Sequence, residues 1–332
     1  MTKRRAMGPI DPMLSRRGVL RGGAHAFGLL GLSLLGGSVV VPTARAAGAD
    51  DFGPLQSSDA NGLRLPPGFS SRIVARSGAP VAATSHTWHE APDGGATFAT
   101  ADGGWVYVSN AELYKQGGVG AIRFAPDGTI VDAYPILSGT DRNCAGGPTP
   151  WGTWLSCEEI DEGRVYECNP QAPSQGVLVP SLGTFRHEAA AVDPVHGTVY
   201  LTEDQRNGRL YRFRCASYPS LAAGTLEVAE VLDPEGRGPI GPGQVRRLRW
   251  HPLAEPNPAG GGASTRRRPA ERATRYQVPA STAFDGGEGC SYRAGQVFFA
   301  TKGDGRVWKL DTAADTLSIY YDQATNANAL AT

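Results

Sequence analysis

Long apolar runs, net charge and helical periodicity are all scarce in this sequence. After residue 41 no stretch approaches 18 consecutive apolar residues, which predicts no stable membrane association once the N-terminal segment is removed. Lys and Arg number 32 and Asp and Glu number 32, so no basic excess favours a nucleic-acid partner. Charged residues are only 19% of the chain and hydrophobic residues 40%, which excludes a disordered, highly charged protein.

Turn-forming and aromatic residues are plentiful instead. The 332 residues include 44 Gly and 25 Pro, and the 11 Tyr, 10 Phe and 6 Trp can fill a core. This composition favours an all-β, turn-rich globular fold over a helix bundle or coiled coil.

The first 46 residues have the order of features of an export signal. A basic stretch containing Ser15-Arg16-Arg17 precedes a Gly- and Leu-rich run, and Ala44-Arg45-Ala46 predicts cleavage before Ala47. The twin arginines indicate the twin-arginine export machinery, which carries folded proteins to the periplasm or the exterior. We therefore expect a signal peptide over residues 1–46 and one domain over residues 47–332. Without residues 1–46 the chain keeps 25 basic and 31 acidic residues, a surplus of carboxylates.

Five cysteines follow the signal, and an oxidising compartment permits disulfides between them. The sequence leaves two interpretations open: one or two structural disulfides with a stray thiol, or a thiolate that binds a metal. Cys157 and Cys168 flank a predicted hairpin, which favours packing or a disulfide for that pair.

A short strand phrase that opens with glycine recurs along the chain and is usually followed by a second strand. Its copies begin at Gly104, Gly152, Gly197 and Gly295, with separations of 48, 45 and 98 residues. A repeat of 45–50 residues built from hairpins is the size of one four-stranded propeller blade. The sequence thus predicts an all-β propeller, with each phrase as the first, channel-lining strand of its blade.

Most copies of the phrase end in acidic residues at the same phase. A propeller would gather these acids at one mouth of its channel; they are Glu112, Glu158 or Glu159, and Glu203 or Asp204. Two carboxylates about 4 Å apart repel by about 4 kcal/mol at an effective dielectric constant of about 20. Such a cluster therefore needs bound cations or protons, and calcium is the usual partner of oxygen ligands outside the cytoplasm.

The segment from Asn143 to Glu159, with Cys144, the glycine and proline run and Cys157-Glu158-Glu159, carries a family resemblance. With Phe185-Arg186-His187-Glu188, Tyr200-Leu201-Thr202-Glu203-Asp204 and Gly287-Glu288-Gly289, it resembles the PhoX family of secreted alkaline phosphatases over roughly residues 60–325. The resemblance implies a six-bladed propeller with a cluster of Fe(III) and Ca²⁺ that hydrolyses small phosphomonoesters.

The same resemblance implies specific metal ligands. Cys144 would be the thiolate ligand of iron, and Glu159, Glu188, Glu203 and Glu288 would be carboxylate ligands of iron or calcium. Glu112, Glu158 and Asp204 would bind calcium or support the ligands. No Ser or Thr nucleophile motif is evident, so a metal-activated oxygen is the expected attacking group, with Lys302 as a candidate phosphate contact.

Several alternatives stay open at this stage. Relative to the family, the chain lacks the usual C-terminal section that closes the ring, so we expect an incomplete propeller, and a monomer. A non-catalytic, calcium-stabilised binding module and a calcium-dependent propeller lactonase are the competing functions.

Overall fold

A computed structural model of the chain describes residues 52–233, 235–236, 238–259 and 273–326. The predicted signal peptide over residues 1–46 lies outside these residues. The chain divides into two compact units, one ending at Ile73 and one beginning at Val74. In the first unit, the Asn61 amide donates a 2.8 Å hydrogen bond to the Ser71 hydroxyl across an irregular segment.

The second unit is built from β-strands, as the sequence predicts. In the described part of the chain the strands are β1 Pro92–Ala99, β2 Trp105–Ala111, β3 Gly117–Phe124, β4 Ile130–Thr140, β5 Asn143–Pro148, β6 Trp154–Glu158, β7 Val165–Cys168, β8 Val177–Leu178, β9 His187–Asp193, β10 Thr198–Glu203, β11 Leu210–Ser217, β12 Ser220–Val231, β13 Val245–Pro252, β14 Gly287–Arg293, β15 Gln296–Thr301, β16 Arg306–Asp311 and β17 Thr316–Asp322. Short 3₁₀ turns occupy Pro180–Leu182 and Thr274–Tyr276, and a one-turn α-helix covers Gln323–Asn326.

Four antiparallel meanders of four strands each repeat along this unit. They are β1–β4, β5–β8, β9–β12 and β14–β17, each hydrogen-bonded in chain order as a propeller blade is. Strand β13 pairs with both β12 and β17, so the last two meanders share one nine-stranded sheet. The first strands pack consecutively, β1 against β5, β5 against β9 and β9 against β14. The all-β, blade-like architecture is confirmed. The family's six blades remain an expectation, since the described residues form four such meanders.

The hydrophobic core lies between neighbouring meanders. Val108 of the first packs in one cluster with Trp154 of the second, and Leu155 of the second packs in another with Phe213 of the third. A further cluster, which includes Tyr200 and Phe299, joins the third and fourth meanders. Because each meander buries its faces against the next, the first strands are held close together at the centre.

The repeated phrases occupy the second strand of each meander, not the first. They form β2, β6, β10 and β15. The prediction that these phrases line the centre is therefore wrong: the central strands are the preceding ones, which read PDGGATFA, NCAGGP, HEAAAVD and GEGCSYR. Small residues at the centre, where backbones crowd, give these strands little of the alternation that marks a strand in sequence.

All four central strands carry the same irregularity. In each, the first residue pairs with the last residue of the second strand of the same meander. The next pair then lies three residues further on the central strand but only two residues back on the second strand, so the central strand carries one extra residue. In β5, for example, Asn143 pairs with Glu158 and Gly146 pairs with Ser156. Such a bulge bends the strand and re-aims its side chains. The bulge therefore fixes a special direction for the second residue of every central strand.

In the described part of the chain, no helix is long and apolar enough to cross a membrane.

Candidate metal centre

Two sets of equivalent positions supply the side chains of the candidate site. The second residues of the four central strands, at the bulges, are Asp93, Cys144, Glu188 and Glu288. The first residues after the four second strands are Glu112, Glu159, Asp204 and Lys302.

The backbone holds the second set in the same way in each meander. The Glu112 amide donates to the Ala91 carbonyl at 2.9 Å, and the Glu159 amide donates to the Arg142 carbonyl at 2.9 Å. The Asp204 amide donates to the Arg186 carbonyl at 3.2 Å, and the Lys302 amide donates to the Gly286 carbonyl at 2.9 Å. Each acceptor is the residue just before a central strand. A repeated hydrogen bond thus brings side chains from distant parts of the sequence to one place.

Five of these eight side chains meet in two groups with metal-binding potential, and Cys144 belongs to both. The first group is Asp93, Glu112 and Cys144, and the second is Cys144, Glu159 and Glu188. Within each group the potential ligand atoms lie within 4.8 Å of one another. The other three are Asp204, Glu288 and Lys302, and the Lys302 ammonium lies against both carboxylates.

Cys144 is buried, and its Sγ lies 3.5 Å from Oε1 of Glu188. Burial raises the pKa of its thiol far above the ordinary value, and the negative charges of Glu188, Asp93 and Glu159 raise it further. Without a cation, the thiolate would be surrounded by carboxylates in a poorly solvated place. A bound cation removes this penalty and favours the thiolate, which is the form that binds metals.

The neighbouring carboxyl groups show the same pattern. Burial, the hydrogen bond shared with Asp204 and the charges of Asp204 and Glu112 raise the pKa of Glu159 to about 7. Burial raises the pKa of Glu188 well above its usual range, and the charges of Glu288 and Glu159 add to this. These groups cannot all be ionised at neutral pH unless positive charge is present, which is the condition that a metal centre meets.

Two basic side chains touch the acids. Lys302 Nζ lies 2.5 Å from Asp204 Oδ2 and 2.8 Å from Glu288 Oε1. Burial opposes its charge, but the hydrogen bonds to Asp204 and Glu288 prevail and raise the pKa of Lys302 above its ordinary value. Arg186 lies 3.8 Å from Glu159 and 3.2 Å from Asp161, with 30% of its side chain exposed.

Glu158 lies apart from the two ligand groups and caps its own hairpin. Its carboxylate accepts hydrogen bonds from the backbone amides of Asp141, at 2.9 Å, and Arg164, at 3.2 Å. It is the last residue of β6, so its side chain points away from that of Glu159, as strand alternation requires.

Glu203 is likewise turned into the protein. It is fully buried and forms a 3.0 Å ion pair with Arg275, while Tyr211 donates a 2.8 Å hydrogen bond to its other oxygen. Burial raises the pKa of Glu203, against the opposing effect of Arg275. The structure thus separates Glu158 and Glu203 from Glu159 and Asp204, their neighbours in sequence.

Asp93 is the residue that sequence reasoning missed. It precedes the phrase that begins at Gly104 and lies in a glycine-rich stretch without strand character. A signal was nevertheless present, because two small residues follow each equivalent side chain: Asp93-Gly94-Gly95, Cys144-Ala145-Gly146, Glu188-Ala189-Ala190 and Glu288-Gly289-Cys290.

The five cysteines are all unpaired, so the structure does not contain the disulfides that the sequence left open. Cys157 and Cys168 are buried in two different hydrophobic clusters, where both act as packing residues. His187, beside Glu188, directs Nε2 to the Gly183 carbonyl at 3.1 Å and stacks on Phe185.

Fold and site together define an all-β protein with a carboxylate and thiol cluster suited to metal ions. Comparison with protein families agrees with this class: the family model for alkaline phosphatase PhoX matches residues 117–329. The chain therefore belongs to the PhoX family. No curated protein matches the chain.

Similarity to solved structures is low. The chain is 12% identical to one in the nidogen/laminin complex, with a TM-score of 0.33, covering 69% of this chain and 78% of that one. It is 9% identical to an ACO/RPE65 chimera, with a TM-score of 0.34, covering 69% of this chain but only 49% of that one. It is 12% identical to the PQQ-bound aldose sugar dehydrogenase of Streptomyces coelicolor, with a TM-score of 0.29, covering 76% of this chain and 85% of that one. Similarities this low carry no argument about activity.

Proposed function

We propose that the protein is a metal-dependent phosphomonoesterase of the PhoX type. The observation that carries this proposal is the pair of ligand groups that share Cys144, in a chain whose family is an alkaline phosphatase family. The substrate class is a small phosphate monoester.

The donor set supports both metals that we propose. Cys144 supplies a thiolate, which favours a transition metal, and we assign Fe(III) to it together with Glu159 and Glu188. Asp93 and Glu112 add hard carboxylate oxygens, which favour Ca²⁺ on their side of Cys144. Glu158 and Glu203 are left out of this ligand set, because backbone amides and Arg275 already satisfy them.

When bound, the cations would supply Lewis acidity toward phosphoryl oxygens. The contribution of the protein chain is to hold the metal ligands in fixed positions. The bulges and the repeated backbone hydrogen bonds fix carboxylates from four meanders before any substrate arrives, so little reorganisation is needed at the moment of reaction.

Arg186 is the side chain that we propose for substrate attraction. Its guanidinium lies beside Glu159 and is partly exposed, so it can meet an incoming dianion at the border of the acidic cluster. Lys302, the phosphate contact that the sequence suggested, already holds two carboxylates. Arg186 also lies beside two carboxylates, Glu159 and Asp161, but at the longer distances of 3.8 and 3.2 Å. Because it is held less tightly, Arg186 is the stronger candidate for a phosphate oxygen.

We also propose export as a folded protein through the twin-arginine route, followed by action in the periplasm or outside the cell. This proposal rests on the order of basic, apolar and Ala-x-Ala segments before residue 47. Cofactor insertion before export would suit a centre whose ligands come from three separate meanders.

The test uses the exported protein, whose mature N-terminus is expected at Ala47. We expect the wild-type chain to contain iron and calcium by elemental analysis and to hydrolyse p-nitrophenyl phosphate. Replacement Cys144→Ala should remove the iron and lower turnover by more than about 100-fold, as is typical when a group that organises a catalytic centre is lost.

The matched control is Cys215→Ala, which removes a half-buried thiol on β11 outside the ligand groups. It should keep both the metals and the activity. Metals without turnover would indicate a binding module instead, and an iron-free wild-type protein with full activity would contradict the proposal.

A further inference from the structure

We propose that the Lys302 ammonium is a built-in counter-ion that occupies a cation position between Asp204 and Glu288. It thereby limits the metal centre to the side formed by the other three meanders. The inference rests on the proposed function only in that the cluster is taken to bind cations. It concerns how many cations the protein accepts and which residue decides that number.

Backbone equivalence is the first support. Lys302 follows β15 as Glu112 follows β2, Glu159 follows β6 and Asp204 follows β10. Its amide makes the same hydrogen bond to the residue before the central strand as theirs do. The fourth meander thus presents a cation where the other three present a carboxylate, at one position of a repeated scaffold.

The distances around Nζ are the second support. The ammonium nitrogen lies 2.5 Å from Asp204 Oδ2 and 2.8 Å from Glu288 Oε1. Calcium binds carboxylate oxygens at about 2.3–2.6 Å, so the nitrogen stands close to where a calcium ion would contact both oxygens. Both carboxylates belong to the two sets of equivalent positions that also supply the metal ligands. Asp204 and Glu288 are accordingly absent from the two ligand groups found in the described residues.

The local chain leaves room for this lysine. A Cβ atom added to Gly286 would lie 2.8 Å from Cγ of Lys302 and 3.2 Å from its Cε. Gly286 also has φ +71°, a conformation that residues with a side chain rarely adopt. The absence of a side chain at position 286 therefore lets the lysine stem pass over the backbone to the two carboxylates.

Charge explains why a lysine and a metal ion exclude each other here. The ammonium neutralises part of the charge of Asp204 and Glu288, and a divalent ion at the same place would be repelled by it. Removal of the ammonium leaves two carboxylates near Glu159 and Glu188, with their mutual repulsion unrelieved. A calcium ion would relieve that repulsion.

The experiment measures bound calcium, not turnover. Wild-type protein and the variant Lys302→Met are dialysed to equilibrium against calcium chloride, and the calcium per chain is determined by elemental analysis. We expect Lys302→Met to bind one calcium ion more per chain than the wild type. Equal calcium contents would overturn the proposal, whatever the activity of either protein.

Two controls isolate the charge at this position. Lys302→Arg keeps the cation and should keep the wild-type calcium content. Lys309→Met makes the same substitution on β16, outside the cluster, and should also keep it. An equal gain of calcium in Lys309→Met would overturn the proposal.

A folding defect in Lys302→Met would still be informative. We then expect the yield of folded Lys302→Met to rise with added calcium and the yield of Lys302→Arg to be independent of it. A calcium-independent yield of Lys302→Met would overturn the proposal. A wild-type protein without metal would count against the proposed function, but the calcium difference between variant and wild type would still decide the role of Lys302.

Discussion

At the scale of single residues, the two pairs of adjacent acids are the most informative feature. Sequence reasoning could not divide Glu158 from Glu159 or Glu203 from Asp204. The position of the strand end separates the members of each pair. Glu158 and Glu203 are the last residues of their strands and point into the protein, whereas the residue that follows each strand points to the cluster. A one-residue difference in position therefore separates a structural acid from a candidate ligand.

The ion pair between Arg275 and Glu203 gives a prediction at this scale. Only 7% of the Arg275 side chain and none of the Glu203 side chain is exposed. Replacement Arg275→Met leaves a buried carboxylate without its partner, which typically costs about 3–5 kcal/mol. We expect the free energy of unfolding, measured with denaturant at pH 7, to fall by that amount.

An exposed ion pair serves as the control for this prediction. Arg123 pairs with Asp102 at 2.6 Å, but 39% and 50% of the two side chains are exposed. Arg123→Met should leave stability almost unchanged, because solvent screens such pairs. The double variant Glu203→Gln, Arg275→Met should recover part of the loss. A fall of less than about 1 kcal/mol in Arg275→Met would contradict a structural role for the pair.

At the scale of elements, the bulge in each central strand connects sequence to site. After the bulge the central strand approaches its neighbour closely, and glycine occupies this point in the first two meanders. A Cβ on Gly95 would lie 2.1 Å from the Val108 carbonyl oxygen, and one on Gly146 would lie 1.8 Å from that of Leu155. Both contacts are far shorter than any side chain tolerates.

Gly146→Ala should therefore damage the second meander. The added methyl group must push β5 away from β6, and overpacking of this kind typically costs about 1–3 kcal/mol. We expect denaturant unfolding to show a loss at or above that range. Because Cys144 is two residues away, the same variant should also bind less iron.

Gly241→Ala is the matched control. The nearest atoms to a Cβ there belong to the side chain of Gln244, at 3.7 Å, which is ordinary contact. Its stability should stay within about 0.5 kcal/mol of wild type. If Gly146→Ala were as stable as Gly241→Ala, the close approach at the bulge would not constrain this strand.

Some of the strands could be predicted from the sequence and others could not. The hairpins β2–β3, β6–β7, β10–β11 and β15–β16 were predictable, because a glycine precedes each and their strands carry β-branched and aromatic residues. The central strands were not, since His187–Asp193 and Asn143–Pro148 are rich in Ala or Gly. Their strand character comes from burial between neighbouring meanders, which is a tertiary effect. Asp93 was missed for this reason.

At the scale of the whole molecule, a neutral chain concentrates negative charge in one place. Residues 47–332 carry more acids than bases, and the site gathers acids from four meanders. The sequence predicted this convergence from the repeat alone. It could not predict which carboxylates meet, because that depends on the bulge and on which strand is central.

The cation hypothesis has its most direct test in a crystal of the wild-type protein. Anomalous difference maps would be calculated from data collected above and below the iron absorption edge. The cation hypothesis predicts an iron peak bonded to Cys144 Sγ with Glu159 and Glu188 as neighbours, and no metal at the Lys302 ammonium. Maps without a metal at Cys144, or with these carboxylates directed away from one another, would contradict it.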